Sequence, residues 1–300
     1  MAFQHEPVMP REVIEGIAPQ PGGRYVDGTL GGGGHARLLL EKSAPGGCVL
    51  GLDQDPDAIA HAQEWGGERP DFIIKQANFS EVDQVLDEIG WKAVNGMILD
   101  LGLSSHQLEA SGRGFSFGRD EELDMRMDPN GELTAADIVN RWRESELADL
   151  IYQFGEERAS RRVARAIVLA RKKERIQTSA QLADIVRRAM GGRGRREKID
   201  PATRTFQALR LAVNRELDHL EDFLAKAPSI LAPGGRLAVI SFHSLEDRMV
   251  KHAMIRKSGK DKPQSGLMAI TKKPIRPTLE EVERNPRSRS AKLRVGERVI

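Results

Sequence analysis

The chain has 300 residues, a net charge of +2 and 39% hydrophobic residues, enough for one large domain or one domain with an insertion. It has no apolar run of the roughly eighteen residues that a membrane span needs and no signal-peptide pattern, so we expect a cytoplasmic protein without membrane contact. A single cysteine, Cys48, excludes a disulfide within the chain, and the seven histidines show no ligand spacing, so we expect no metal.

The small net charge conceals a strong polarity along the chain. Residues 1–157 hold 12 Lys and Arg against 29 Asp and Glu, whereas residues 158–204 hold 15 against 4 and residues 251–300 hold 14 against 5. Two basic segments beside an acidic body favour a polyanionic partner such as nucleic acid. Solvated helix faces also explain charge runs of this kind, and that explanation stays open.

The first predicted strand runs into a turn that consists mostly of glycine. Residues 25–27 form the strand, glycines occupy positions 28 and 31–34, and a helix is predicted over 36–42. A glycine-rich turn lets the backbone approach a nucleotide where any Cβ would collide, and the N–H groups that begin the next helix face the ligand. The pattern predicts a strand–turn–helix nucleotide site. The alternative is a tight surface turn in which Asp27 caps the helix.

Two acidic residues at strand ends bear on the choice of nucleotide. Asp53 follows the second predicted strand, 48–52, about twenty residues beyond the glycines, where a carboxylate can accept hydrogen bonds from ribose hydroxyls. Asp27 precedes the glycines, where it would repel a pyrophosphate. S-adenosylmethionine has no phosphate, and its cationic amino group and sulfonium tolerate a nearby anion. We therefore favour S-adenosylmethionine, although the glycines also fit the looser fingerprint of NAD and flavin sites.

Two more strands follow, each succeeded by a helical pattern. The third strand, 72–75, precedes Phe79, which can face an adenine ring or belong to the core, and the fourth strand, 93–99, ends in Asp100. Four such units in succession predict an α/β fold with a parallel, doubly wound, Rossmann-like sheet. Ligands gather at the carboxyl ends of such strands, so we expect Asp27, Asp53, Phe79 and Asp100 at one edge.

The alternation stops between residues 109 and 200, which we interpret as an inserted helical domain that helps to hold the substrate. It divides the core into residues 1–108 and 201–300, the second part ending in a basic tail. Arginines alternate with aromatic residues near the start of the insertion, as in contacts with single-stranded RNA, and a basic loop lies near its end. The candidate RNA-binding residues are Arg113, Phe115, Arg126, Arg193, Arg195 and Arg196. Packing of the insertion onto the core explains the aromatic residues equally well.

The pattern of the sheet resumes with a long helix, 202–231, and a fifth strand, 236–240, which ends next to Ser241 and His243. These two polar residues are candidates for catalysis because they join the others at the strand ends. A final strand over 290–295 is expected at the edge of the sheet, antiparallel to its neighbour.

Six motifs occur in a fixed order along nearly the whole chain. They are Asp27-Gly28-Thr29 with Gly33-Gly34-His35, Asp100-Leu101-Gly102 with Ser104-Ser105, and the segments 113–117, 123–129, 201–208 and 241–248. Together they resemble the bacterial 16S ribosomal RNA cytosine-N4-methyltransferases, the RsmH or MraW family. The resemblance implies a class I S-adenosylmethionine-dependent methyltransferase fold with a helical insertion. It also implies methyl transfer to N4 of a cytidine in the decoding region, at the P site, of 16S ribosomal RNA.

The resemblance also carries site residues over to this sequence. It implies cofactor contacts at Gly33, Gly34, His35, Asp53, Phe79, Asp100 and Gln107, to which the charge argument adds Asp27. The expected partner is 16S ribosomal RNA, free or within the 30S subunit, and a homodimer is left open.

The chemistry of the target makes Asp100 the first candidate for catalysis. The N4 lone pair of cytosine is delocalised into the ring, so the amine needs an acceptor for its hydrogen as it pyramidalises. Many amino-methyltransferases place an Asp/Asn/Ser-Pro-Pro-aromatic motif after the fourth strand, whereas this chain has Asp100-Leu101-Gly102-Leu103. We predict that Asp100 orients cofactor, amine or both, with cofactor binding alone as the alternative and with His243 and Ser241 as second candidates.

Two other classes of function stay open from the residues alone. An NAD-linked oxidoreductase would use the glycine turn but gives no reason for the basic insertion. A non-catalytic RNA-binding ribosome-assembly factor would keep the basic segments but needs no cofactor turn.

Overall fold

Two units make up the chain in a computed structural model that describes residues 7–191, 200–254 and 266–299. The first unit comprises Met1–Ser104 and Leu217–Ile300, and the second comprises Ser105–Glu216. The second unit extends past the insertion expected at 109–200, because a helix that follows residue 200 packs within it.

A seven-stranded sheet forms the centre of the first unit. Its strands are β1 (Arg24–Asp27), β2 (Cys48–Asp53), β3 (Phe72–Gln76), β4 (Val94–Asp100), β5 (Leu231–Ser241), β6 (Leu267–Ala269) and β7 (Lys292–Arg298). The spatial order is β3-β2-β1-β4-β5-β7-β6. Strands β1 to β5 are parallel, and β7 runs antiparallel to both β5 and β6. The α/β fold with a doubly wound sheet is therefore confirmed.

Helices account for most of the remaining described residues. The first unit begins with α1 (Pro10–Ile17), α2 (Gly34–Ser43), α3 (Pro56–Gly66) and α4 (Val82–Glu88). The second contains α5 (Ser105–Glu109), α6 (Ala135–Arg141), α7 (Glu144–Gly155), α8 (Ser160–Arg171), α9 (Ser179–Met190) and α10 (Ala202–Val213). The first unit resumes with α11 (Glu216–Ile230), α12 (Ser244–Ala253) and α13 (Leu279–Arg284).

The core of the first unit lies on both faces of the sheet. Side chains alternate along a strand, and the central strands are apolar at successive positions, which is the pattern of a parallel sheet covered on both sides. Val26 thus packs in one cluster with residues of α4 and α11, while its neighbour Tyr25 packs in another with residues of α1 and α2. Both side chains are 1% exposed. This double cover leaves the strand ends as the places where polar side chains gather.

The long helix expected over 202–231 is in fact two helices, α10 and α11. The chain turns between them at Asn214 and Arg215, and Arg215 has a positive φ of 49°. The Asn214 amide supports the turn, since its Nδ2 donates to the carbonyl of Met125 (2.8 Å) and its Oδ1 accepts from the N–H of Met127 (2.7 Å). Apolar periodicity continues through both helices, so it did not reveal the break.

The strand expected at the edge of the sheet lies inside it. β7 pairs with β5 on one side and with β6 on the other. β6 has only three residues, too few to show an alternating pattern in the sequence. The antiparallel direction of β7 is confirmed, and its position at the edge is wrong.

The regular secondary structure of the second unit, in the part of the chain that is described, consists of helices and an isolated bridge between Glu122 and Thr178, and residues 110–134 form an irregular segment. Two of its helices start at threonine caps, Thr134 and Thr178. Thr134 accepts a hydrogen bond from the N–H of Asp137 at 3.1 Å, and Thr178 accepts one from the N–H of Gln181 at 3.3 Å. Each satisfies one of the N–H groups that a helix start leaves without a partner.

Candidate cofactor site at the carboxyl edge of the sheet

The glycine turn follows β1 directly and is tied to the strands on both of its sides. The N–H of Gly28 donates to the carbonyl of Ile98 in β4, and the N–H of Leu30 donates to the carbonyl of Leu52 in β2, both at 2.9 Å. The chain order of the strands changes direction at β1, and the edge beside such a point is where open α/β sheets bind ligands. These bonds hold the turn at that edge.

Two glycines of the turn adopt backbone conformations that favour glycine. Gly31 and Gly33 have φ of 48° and 77°. A Cβ on Gly33 would lie 2.4 Å from Cζ2 of Trp65, and one on Gly28 would lie 2.6 Å from Cδ2 of Leu99. The turn is therefore packed from beneath by side chains. At Gly31 no atom except the carbonyl oxygen of Thr29, at 3.9 Å, would lie within 4 Å of an added Cβ.

The Asp53 carboxylate joins the glycine turn to the start of α3. Its Oδ2 accepts from the N–H of Gly31 and its Oδ1 from the N–H of Asp55, both at 2.9 Å. Burial raises the pKa of Asp53 to about 6, and these two backbone hydrogen bonds only partly oppose that effect. The N–H groups of Gly31 and Asp55 therefore fix the orientation of the Asp53 carboxylate.

Asp27, His35 and Asp100 form a buried polar cluster beside the turn. Oδ1 of Asp27 accepts from the N–H of Thr29 at 3.2 Å, and the N–H of Asp100 donates to Oγ1 of Thr29 at 2.6 Å. Nε2 of His35 lies 3.6 Å from Oδ2 of Asp100. Thr29 thus connects the end of β1 to the end of β4.

Burial and charge shift the titration of this cluster. Burial raises the pKa of Asp27 to about 6, and the opposite charge of His35 moderates the rise. Burial alone would lower the pKa of His35, but the nearby Asp100 and Asp27 carboxylates outweigh it and raise that pKa. The raised pKa means that the Asp27 carboxyl changes its protonation near pH 6.

Several buried polar atoms of the cluster have no hydrogen-bond partner among the described residues. They include Oδ2 of Asp27, both ring nitrogens of His35 and Oδ1 of Asp100. An unsatisfied buried polar atom costs about 1–3 kcal/mol, and a group of them at a strand edge is typical of a ligand site. Two carboxylates here would repel a pyrophosphate and attract a cationic amine or sulfonium. The residues therefore fit S-adenosylmethionine.

Phe79 and Gln107, the other predicted cofactor contacts, lie in different units. Phe79 begins a short 3-10 helix after β3 and packs edge-on against Phe223, with ring centroids 5.7 Å apart. Its ring is only partly buried. Gln107 lies in α5 of the second unit and is buried.

The second candidates for catalysis, Ser241 and His243, have partners within the first unit. The hydroxyl of Ser241 donates to the carbonyl of Lys292 at 3.4 Å. Nδ1 of His243 accepts from the N–H of Glu246 at 3.4 Å, and its Nε2 lies 3.0 Å from Oε1 of Glu246. With Nδ1 as the acceptor, the ring works as the N-terminal cap of α12.

The predicted RNA contact Arg126 is used within the second unit. Its Nε and Nη2 donate to the Asp124 carboxylate at 2.8 and 2.6 Å, and its Nη1 donates to the carbonyls of Pro129 and Gly131. This pairing lowers the pKa of Asp124 against the effect of burial. The guanidinium therefore holds a loop in place.

Arg113 and Phe115 are also part of the interior of the second unit. Nη1 of Arg113 donates to the carbonyls of Arg126 and Met127, and Phe115 is 5% exposed. The packing explanation describes these residues well, and their contact with RNA stays a prediction. Arg193, Arg195 and Arg196 lie outside the described residues.

Two residues of the edge were not selected from the sequence, Thr29 and Trp65. Thr29 was visible as the one hydroxyl in a turn of glycine and leucine. Trp65 lies under Gly33, stacks on Phe72 with ring centroids 4.8 Å apart, and has the Arg37 guanidinium 4.2 Å from its ring centroid. Its position at the end of α3 gave no signal of this contact.

No helix in the described residues is long and apolar enough to cross a membrane. Within the same residues, no group of three or more His, Cys, Asp and Glu side chains is arranged to hold a metal ion.

Comparison with known proteins identifies relatives of the whole chain. The MraW methylase family matches residues 2–299. Curated relatives named ribosomal RNA small subunit methyltransferase H include one from Synechococcus elongatus, which is 52% identical over 100% of this chain and 96% of its own. One from Deinococcus deserti is 51% identical over 99% and 94% of the two chains, and one from Geobacter sulfurreducens is 50% identical over 100% of both.

Proposed function

The chain belongs to the MraW methylase family, and on that premise we propose that it methylates N4 of a cytidine in the decoding region, at the P site, of 16S ribosomal RNA. It is an S-adenosylmethionine-dependent ribosomal RNA methyltransferase with a class I fold. The choice of cytidine, nitrogen and position rests on the family resemblance that the six motifs carry. Ribosomal RNA as the substrate favours a cytoplasmic location for the enzyme, which is part of the proposal.

The glycine turn and the polar residues around it would hold the cofactor. Gly33, Gly34 and His35 begin α2, and Asp53 would accept hydrogen bonds from the ribose while Phe79 contacts the adenine. Asp27 would pair with the cationic amino group, because its buried Oδ2 has no partner among the described residues. We assign Gln107 to the cofactor from the resemblance alone. When bound, S-adenosylmethionine supplies an electrophilic methyl group on its sulfonium.

The proposed reaction depends on Asp100. Its backbone is fixed by Thr29, its Oδ2 faces His35, and its Oδ1 is buried without a partner in the described part of the chain. That oxygen is available to accept a hydrogen bond from an exocyclic amine, which localises the nitrogen lone pair toward the methyl group. The rest of the rate enhancement would come from holding the amine nitrogen in line with the methyl carbon of the cofactor.

Ser241 and His243 remain second candidates for contact with the amine. Ser241 ends β5, which pairs with β4 in a register that places Ile240 beside Asp100. His243 is held by Glu246, so its role in the fold competes with a role in proton transfer.

The direct test is methyl transfer from labelled S-adenosylmethionine to naked 16S RNA and to 30S particles that lack their decoding-region methylations. The product nucleoside is identified by mass. N4-methylcytidine in either substrate supports the proposal, and the better substrate distinguishes free RNA from the assembled subunit. Another methylated nucleoside contradicts the proposed target, and no incorporation by protein that binds S-adenosylhomocysteine contradicts both proposed substrates. Sedimentation of the same preparation tests the homodimer.

A further inference from the structure

The exposed face of α8 carries a stripe of basic side chains, which we call the α8 stripe. It consists of Arg161, Arg162 and Arg165 within the helix, Arg158 just before it, and Lys172 and Lys173 just after it, all of them exposed. Arg161 and Arg162 precede Arg165 by four and three residues, which places these three side chains on one side of the helix. The opposite side, with Val163, Ala164 and Ile167, is buried in the second unit.

Other arginines of the second unit are neutralised by nearby carboxylates. Arg126 pairs with Asp124 at 2.6 Å, Arg187 with Asp200 at 2.8 Å, and Arg204 with Glu157 at 3.0 Å. Arg210 pairs with Glu216 at 2.8 Å. These pairs bind the loops and helices of the unit to one another.

The α8 stripe has no such compensation. Among the residues that the structure describes, no carboxylate lies within 4 Å of the basic groups of the stripe, and Arg162 donates only to the sulfur of Met190. Like charges four residues apart, such as Arg161 and Arg165, destabilise a helix slightly. Ion pairing within the described residues therefore does not account for the charges of the stripe, whereas it does account for those of the paired arginines.

The stripe is long enough to meet more than one phosphate of a nucleic-acid strand. α8 has 12 residues and is about 18 Å long, and basic side chains of the stripe lie beyond both of its ends. Leu169, which is 50% exposed, follows Arg165 by one turn and gives the stripe an apolar contact among its charges. A row of cations of this length can bind several phosphates at once.

We propose that the α8 stripe binds the phosphodiester backbone of the RNA substrate, an inference that rests on the proposed function. Contacts with phosphates fix the register and orientation of a nucleic acid without reading its bases. The stripe thus supplies affinity and the site at the sheet edge supplies chemistry. This assignment is independent of Arg113, Phe115 and Arg126, which are used within the unit.

The test compares two triple variants with equal loss of charge. The stripe variant carries Arg161→Gln, Arg165→Gln and Lys172→Gln. The control carries Lys42→Gln, Arg69→Gln and Arg141→Gln, all exposed residues that pair with a neighbouring carboxylate. RNA affinity is measured by filter binding from 50 to 300 mM salt, together with kcat, KM for RNA and affinity for S-adenosylhomocysteine.

We expect the stripe variant to lose at least tenfold in RNA affinity at 100 mM salt and the control to stay within twofold of the unaltered protein. The slope of log affinity against log salt should fall by about 2 to 3, because each lost phosphate contact removes about 0.7–0.9. KM for RNA should rise while kcat and S-adenosylhomocysteine affinity stay unchanged. A further variant with Arg161→Lys and Arg165→Lys keeps the charge and should keep the affinity within threefold.

Equal RNA affinity in the stripe variant and the control, with methyl transfer intact, would overturn the stripe alone. A loss of affinity in the stripe variant with no methyl transfer by the unaltered protein would contradict the proposed function alone. Circular dichroism and melting temperature establish that all variants are folded, and a stripe variant that melts early is replaced by the single changes.

Discussion

Burial raises the pKa of Asp27 and of Asp53 to about 6, whereas an aspartate in an unfolded chain titrates near 3.8. A carboxyl with a raised pKa holds its proton more tightly in the folded state. Its contribution to stability is therefore full below about pH 4 and is lost as the pH rises through 6. At neutral pH each ionised group destabilises the protein without ligand by on the order of 3 kcal/mol. A cationic ligand beside Asp27 would offset that effect, which links the destabilisation to the proposed binding of the cofactor.

Asp27→Asn should separate the effect of the Asp27 charge on stability from its effect on cofactor binding. We expect a higher melting temperature than the unaltered protein at pH 8, where Asp27 is ionised, and a smaller difference at pH 4.5. The amide oxygen can still accept from the N–H of Thr29. Affinity for S-adenosylhomocysteine at pH 7, measured by calorimetry, should fall at least tenfold because the anionic partner of the amine is gone. An unchanged pH dependence of stability, with exposed Asp87→Asn as the control, would contradict the assignment.

Asp100→Asn tests the proposed acceptor. Because the backbone bond to Thr29 is kept, we expect the turn to remain intact and kcat to fall by about a hundredfold or more, the usual range for loss of a proton acceptor. Affinity for S-adenosylhomocysteine should stay within threefold. Asp53→Asn is the matched control and should weaken cofactor binding more than kcat. If kcat and cofactor affinity fall by the same factor in Asp100→Asn, Asp100 only binds the cofactor and has no separate role in the reaction.

The positions of candidate site residues were predictable from the sequence where a strand end determines their place. Asp27, Asp53 and Asp100 each end a central strand, so the order of apolar runs and acids was enough to place them at one edge. Arginines were harder, because the partner of a long side chain depends on tertiary neighbours. Arg126 meets Asp124 and two carbonyls, whereas Arg165 meets none of these, and the local sequence does not distinguish them.

At the scale of elements, the α2 start depends on a turn with no space beneath it. Gly33→Ala should destabilise the protein by about 2–4 kcal/mol, since the methyl group would collide with Trp65 and the φ of 77° is strained for alanine. Gly31→Ala, with a φ of 48° and space around the Cβ, should cost only about 1–2 kcal/mol. Urea unfolding of both variants measures the difference. If Gly33→Ala and Gly31→Ala destabilise the protein equally, the Trp65 side chain must move to make room for the new methyl group.

The start of α12 offers a test of the role of His243. His243→Ala removes the cap and should destabilise the protein by about 1 kcal/mol, whereas His243→Asn supplies another good cap and should stay within about 0.5 kcal/mol of the unaltered protein. If His243 is only a cap, the Asn variant keeps its kcat. A large loss of kcat in the Asn variant, with stability preserved, would instead assign His243 to catalysis.

Helices and strands were predictable where their length carries a pattern. The strands from β1 to β5 and the helices that start at Thr134 and Thr178 combine periodic apolar residues with a recognisable end. β6 and the break at Asn214 were missed for opposite reasons. β6 is too short to show a period, and the helices on both sides of Asn214 continue the same period past a turn held by contacts with Met125 and Met127.

At the scale of the whole molecule, the choice of cofactor has a simple thermal test. S-adenosylhomocysteine at 100 times its dissociation constant should stabilise the protein by about 2.7 kcal/mol, which raises the melting temperature on the order of 5 °C. NADH at the same concentration should leave the melting temperature unchanged, because the carboxylates at the turn repel its pyrophosphate. Protection by NADH alone would contradict the cofactor assignment.

The division of the first unit between two stretches of chain affects how the protein forms during its synthesis. The second unit is one continuous stretch, Ser105–Glu216, and has all its residues as soon as that stretch has left the ribosome. The sheet has to wait for β7, the strand between β5 and β6. At translation rates of about 5–20 residues per second, the interval lasts on the order of 4–16 s. We therefore expect the helical unit to fold first, while the half-made sheet keeps its apolar strands exposed and depends on chaperones.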